Sequence, residues 1–181
     1  MRCKIDRVAA FSAALIAACF LGSSPTLANE PVVSRSAKAL EALCISTQFD
    51  RRNLDAQVQS FSHRELPKPS LRKLSVYNDV GYALIVDHAP VTVTLGRRQS
   101  DDEVSRNCTV TIKDLDFAEA NELLQANYNA EELDRFANGV SQIAVYRARF
   151  PDYPAEMYLS VQTGSGLTAL SLFEPPTGET P

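Results

Sequence analysis

Four cysteines, two histidines and a set of paired arginines carry most of the chemistry open to this 181-residue chain. Cys44, in "EALCISTQFD", could act as a nucleophile, a metal ligand or half of a crosslink. A catalytic thiol needs an exposed, electropositive site and a basic neighbour. A metal site needs clustered ligands, and neither Cys44 nor Cys108 has CxxC spacing. Leu40, Leu43, Cys44 and Thr47 fall at i, i+3, i+4 and i+7, which turns Cys44 to the apolar side of a helix. Cys108, Val110 and Ile112 alternate with Thr109, Thr111 and Lys113, which turns Cys108 to the buried side of a strand. Both sulfurs face a core, and the spacing predicts a Cys44–Cys108 disulfide that ties a helix to a sheet. In the chain-entropy account, closing a loop of about 65 residues stabilises by roughly 4 kcal/mol.

The remaining reactive residues offer little more. His63 in "FSHREL" and His88 in "VDHAP" sit at the ends of predicted elements. Asp87 precedes His88, but neighbours along a strand point to opposite faces and cannot form a dyad. Ser70 and Lys73 match SxxK, the acylating pair of penicillin-recognising enzymes, yet they follow "LPKP" and lack SDN or KTG partners. GxSxG, HExxH, GxxxxGK[ST] and GxGxxG are absent. Arginine pairs recur as Arg51-Arg52, Arg97-Arg98 and Arg147 with Arg149. Arg147 and Arg149 share a predicted strand face with Ile143 and Val145, a stripe able to hold an anionic ligand or a partner protein. The same stripe would also serve as a solvated sheet edge that discourages aggregation. His88, Arg147 and Arg149 are the candidate contact residues; no catalytic residue, metal ligand or cofactor is nominated.

The chain opens with Arg2, Lys4 and Arg7, an apolar run from Val8 to Leu21, the helix breakers Gly22 and Pro25, and small residues before Asn29. That order is expected of a secretory signal peptide over residues 1–28, too short in its apolar part for a span of roughly 20 residues. A second reading takes Ile16-Ala17-Ala18-Cys19 as a lipobox, with Cys19 acylated as an envelope anchor. Loss of residues 1–28 removes three cations and Asp6, so the net charge of −4 becomes −6. An acidic surface speaks against nucleic acid, whose phosphates demand a basic face, and favours a basic partner.

These side chains need elements to place them. Residues 29–35 are expected as a linker, followed by a helix over about 36–48 and a corner at 50–53. A second short helix is marked by Leu54, Val58 and Phe61. "HRELPKPSLRK" reads as a loop, and "LSVYND", "YALIVDH", "VTVTLG" and "CTVTIKD" as strands, with Val80-Gly81 as a turn and "RRQSDDEVSR" as a loop. Asp116 with Glu119 forms a capping box ahead of "FAEANELLQANY". Asn129 with Glu132 predicts a further helix through Leu133 and Phe136, stopped at Asn138-Gly139. "SQIAVYRARF", "EMYLSVQ" and "LTALSLF" close the chain as strands, with Tyr146 and Tyr158 as a cross-strand pair and a tight turn at 163–166. Residues 174–181 form a tail. The expectation is one α+β domain over 36–173, with a mainly antiparallel sheet of about six to seven strands and two helical segments, in the order helices, strands, helices, strands.

"Cys44-Ile-Ser-Thr47-Gln-Phe-Asp50" and the later "Cys108-Thr-Val110" resemble a group of small exported alphaproteobacterial proteins of undefined role. The resemblance spans about residues 40–173 and implies the same helix-to-strand crosslink, with Thr47 in a last helical turn and Asp50 capping the next helix. It implies no activity. The functional expectation is a periplasmic or secreted, non-catalytic module that binds another envelope protein, as an inhibitor or immunity protein does. The alternatives are a small periplasmic hydrolase using His63 or His88 with a carboxylate of "RRQSDDE", and a component lipid-anchored through Cys19.

Overall fold

The computed structural model describes residues 30–68, 70–71, 78–100 and 103–175. The signal peptide and lipobox readings, Lys73, Tyr77, Asp101 and Asp102 therefore lie outside the described residues, as do residues 176–181.

The described residues begin with α1 (Glu30–Leu40), which continues as a π-helical turn (Glu41–Ile45). The expected linker is thus the first turn of a helix. Pro31 fits there because the first-turn N–H groups have no intrahelical partner. Val32 and Val33 pack on the core, and the buried Ser36 hydroxyl donates to the Val32 carbonyl at 2.6 Å. Asp50 then caps α2 (Arg51–Val58), accepting the backbone N–H groups of Arg52 at 2.7 Å and Asn53 at 3.3 Å. The α2 face made of Leu54 and Val58 is fully buried.

Eight strands form one antiparallel sheet: β1 (Ser62–Glu65), β2 (Asn78–Val86), β3 (Ala89–Ser100), β4 (Glu103–Lys113), β5 (Glu131–Asn138), β6 (Ser141–Ala148), β7 (Met157–Gly164) and β8 (Leu167–Phe173). Their order across the sheet is β1-β2-β3-β4-β8-β7-β6-β5. Two four-stranded meanders therefore meet along β4 and β8, where Val110 faces Leu170 at the middle of the seam. Each meander follows helical chain, and α3 (Phe117–Tyr128) opens the second half through the capping box of Asp116 and Glu119. The helices lie on one face: α1 and the π turn against β4, α2 against β2, and α3 against β6, β7 and β8. Period-two burial follows from that arrangement, with Leu84, Val93, Val110, Tyr146, Leu159 and Leu170 turned to the helices.

The α+β class and the antiparallel sheet match expectation, while the counts and order differ: eight strands and three α-helices are described. The helix expected after Asn129 is β5. Asn129 adopts a left-handed conformation (φ 48°) that ends α3. A bulge between Glu132 and Asp134 leaves Glu132 and Arg135 on the same face, so a strand imitates helical spacing. Asn138-Gly139 is not a helix stop. Gly139 and Val140 form a two-residue hairpin loop, with Gly139 at φ 62°. The Val80-Gly81 turn is likewise absent, because both residues lie inside β2. Gly81 leaves room there: a Cβ would sit 2.7 Å from Cδ2 of Leu71 and 3.0 Å from Cγ2 of Thr94, so those side chains would have to shift. The "RRQSDDEVSR" loop is largely a ladder, pairing Arg97 with Arg106 through Ser100 with Glu103. His63–Glu65, expected as the start of a loop, joins Ser62 in an edge strand paired with β2. Tyr146 and Tyr158 do not pair; Tyr146 is buried under α3, and Tyr158 stacks on Phe173 across the opposite face at 5.6 Å.

Candidate functional site

Cys44 and Cys108 form the expected disulfide, with a Cα–Cα distance of 5.5 Å and both residues fully buried. The π turn carries Cys44 onto β4, and the Thr47 hydroxyl closes that turn on the Leu43 carbonyl at 3.0 Å. The bond has no access to substrate. An intramolecular disulfide is consistent with a location outside the cytoplasm, and among the described residues no helix is long and apolar enough to cross a membrane.

The histidines lie at one end of the sheet. Asp87 and His88 are the two central residues of the β2–β3 hairpin, both with positive φ (45° and 66°), as a two-residue hairpin loop of the primed type requires. Asp87 is bound to Lys38 at 2.8 Å, and that ion pair holds its carboxyl below the usual range. His63, in β1, rests on the Phe61 carbonyl at 3.0 Å and edge-on to Tyr82. The β-ladder residues Ser100 and Glu103 lie at the far end of β3, about 36 Å from Ala89, which follows His88, at 3.3 Å per residue. Both histidines therefore lie far along the sheet from Ser100 and Glu103.

Arg147 and Arg149 stand on the far half of the sheet and are engaged by carboxylates. Arg147 meets Glu131 at 2.7 Å and Glu156 at 3.6 Å, and Arg149 meets Glu156 at 3.2 Å. Arg147 shares the helix-free face with Ile143 and Val145 as expected, while Arg149 lies beyond the end of β6.

Three arginines of the other two pairs contribute to a site that the sequence reading did not assemble. Arg51 and Arg52 at the start of α2, Arg97 on β3 and Arg106 on β4 surround a cleft of about 880 Å³. A bulge in β2 at Asp79 brings its carboxylate to Arg97 Nε at 3.2 Å. Arg106 is gripped by Glu174 at the end of β8, with Nε at 2.9 Å, and lies over the Phe49 ring at 5.4 Å. The paired guanidinium holds the Glu174 carboxyl below the ordinary range, so Glu174 belongs to the fold and not to the expected tail. Phe49 is reached through two consecutive non-glycine residues with positive φ, Gln48 (52°) and Phe49 (58°). Such strain persists only where packing enforces it. Here Phe49 abuts Tyr153, whose hydroxyl donates to the Ile45 carbonyl at 2.9 Å. A smaller cleft of about 440 Å³ continues past Arg106 and Glu174 toward Tyr153 and Asp152.

The lining is mainly guanidinium, carboxylate and aromatic, and among the described residues it includes no imidazole, thiol or hydroxyl in the larger cleft. Arg51, Arg52 and Arg97 were visible in the sequence as pairs; Arg106 carried no signal, because its partner Glu174 is 68 residues away. Among the described residues no group of three or more histidine, cysteine or acidic side chains could hold a metal ion. No family model, curated protein or solved structure matches the chain.

Proposed function

We propose that the chain is an exported, non-catalytic interaction module that binds another envelope protein by accepting one of its segments as a further strand beside β5. The observation that carries this reading is the free edge of β5. Among the described residues it pairs only with β6, and all eight of its residues are exposed, including Leu133 and Phe136 at 44% and 46%. A row of unpaired backbone groups is a template for strand addition. The opposite edge, β1, has four residues and no large apolar side chain. Glu131, Glu132 and Asp134 outnumber Arg135 along β5, so charge favours a basic incoming segment and disfavours a second copy. Export from the N-terminal reading, and the resemblance carried by Cys44, Thr47, Asp50 and Cys108, belong to the same proposal.

The test uses the immobilised mature chain and envelope extract. A saturably retained protein is expected, lost with Leu133→Glu/Phe136→Glu while the fold, read by circular dichroism, is kept. Backbone amides of β5 should gain hydrogen-exchange protection in the complex. Retention that survives the double substitution, or no saturable partner, overturns the proposal.

A further inference from the structure

We infer that the 880 Å³ cleft between α2, β3 and β4 binds a small ligand carrying two or more carboxylate or phosphate groups. Four guanidinium groups face three carboxylates there, and the carboxylates are already engaged. Asp50 caps α2, Asp79 accepts from Arg97, and Glu174 accepts from Arg106. The donors are not exhausted, since each guanidinium offers five N–H groups. Among the described residues, Arg97 donates to a side chain only through Nε, Arg51 comes no closer than 3.6 Å to Asp55, and Arg52 has no ion pair. Forked donors of this kind match carboxylate and phosphate oxygens in pairs.

Three features make the site more than a charged surface. The cleft is within the size range of small-molecule sites, about 300–1,000 Å³, and larger than one oxyanion needs. Arg106 is positioned in advance by Glu174 below and the Phe49 ring beneath its plane, so its ordering precedes binding. The strained Gln48-Phe49 corner is the element that sets Phe49 there. The rest of the chain is acidic, which suppresses diffuse polyanion binding and confines the attraction to the cleft.

The experiment titrates the mature chain calorimetrically with pyrophosphate and, separately, with citrate. One-site saturable binding of at least one probe is expected. Pyrophosphate alone identifies phosphate-bearing ligands, citrate alone polycarboxylates, and both the shared chemistry. Arg52→Gln/Arg97→Gln, at two exposed positions, should weaken binding about a hundredfold, tenfold for each lost forked contact. Arg147→Gln/Arg149→Gln, on the other half of the sheet, and Leu133→Glu/Phe136→Glu should leave it unchanged. No saturable binding of either probe overturns the inference. So does undiminished binding by Arg52→Gln/Arg97→Gln, or equal weakening by the Arg147 and Arg149 pair.

Discussion

The half of the molecule that ends in β4 and the half that ends in β8 fasten helix to sheet by different means. In the first, a covalent bond joins Cys44 to Cys108. In the second, the Tyr146 hydroxyl on β6 donates to the buried Asn121 amide oxygen on α3 and lies 3.3 Å from Glu132, while the Thr168 hydroxyl on β8 holds the Leu115 carbonyl ahead of α3. The sequence separations, 64 and 25 residues, differ by less than about 1 kcal/mol in closure entropy. Distance along the chain therefore does not explain the choice. What differs is the chain being held: Cys44 lies just before the strained Gln48-Phe49 corner, whereas α3 runs between an orderly capping box and a single left-handed residue. A crosslink is placed where the backbone would otherwise relax.

This contrast can be broken from either side. Replacing the crosslink (Cys44→Ala/Cys108→Ala) should lower stability by up to about 4 kcal/mol in urea titration, and the native mature chain, denatured without reductant, should show no reactive thiol. A loss no larger than that of Tyr146→Phe would erase the difference between the halves. Tyr146→Phe leaves Asn121, 6% exposed, without its hydroxyl donor, and should cost about 1–2 kcal/mol with the disulfide intact.

Alkaline pH probes both halves at once. Burial, aided by the hydrogen bond to Asp55, pushes Tyr82 up to about 12. Burial likewise raises Tyr146 and Tyr153 to about 12. Raised folded values mean that this stability is intact below the unfolded tyrosine value of about 10 and lost as pH climbs toward 12. Tyr82→Phe should flatten that decline in the first half, which a set of urea midpoints between those limits would show. The smallest effect lies at acid pH. Glu174 is depressed by Arg106, so its contribution is present above the usual carboxylate value and lost as pH falls through the lower folded one. Glu174→Gln should remove that acid-side loss, amounting to less than about 1 kcal/mol for a partly exposed pair. An unchanged acid limb would show that the cleft's ion pair is incidental to folding.

How much was legible depends on whether a signal was local. Asp50, Asp116 and Glu119 act within one helical turn, and Leu40, Leu43, Cys44, Cys108 and Val110 report faces through simple periods, so caps, core faces and crosslink could be read directly. Leu133 and Phe136 misled because a bulge shifts a strand's period, and Gly81 because its reason is Leu71 packed against it from across a connection. The charged residues were harder to place. His88 serves a turn, Arg147 and Arg149 answer nearby glutamates, and the arginines that converge do so only once β3 and β4 are in register.

The disulfide joins two points that both precede α3, so among the described residues no side-chain crosslink ties one meander to the other. Seven residue pairs between β4 and β8, α1 resting on α3, the Arg106–Glu174 ion pair and the Tyr153 hydroxyl on the Ile45 carbonyl hold the two together. Pulled apart in oxidising surroundings, the molecule would part along that line with its sulfur bond whole.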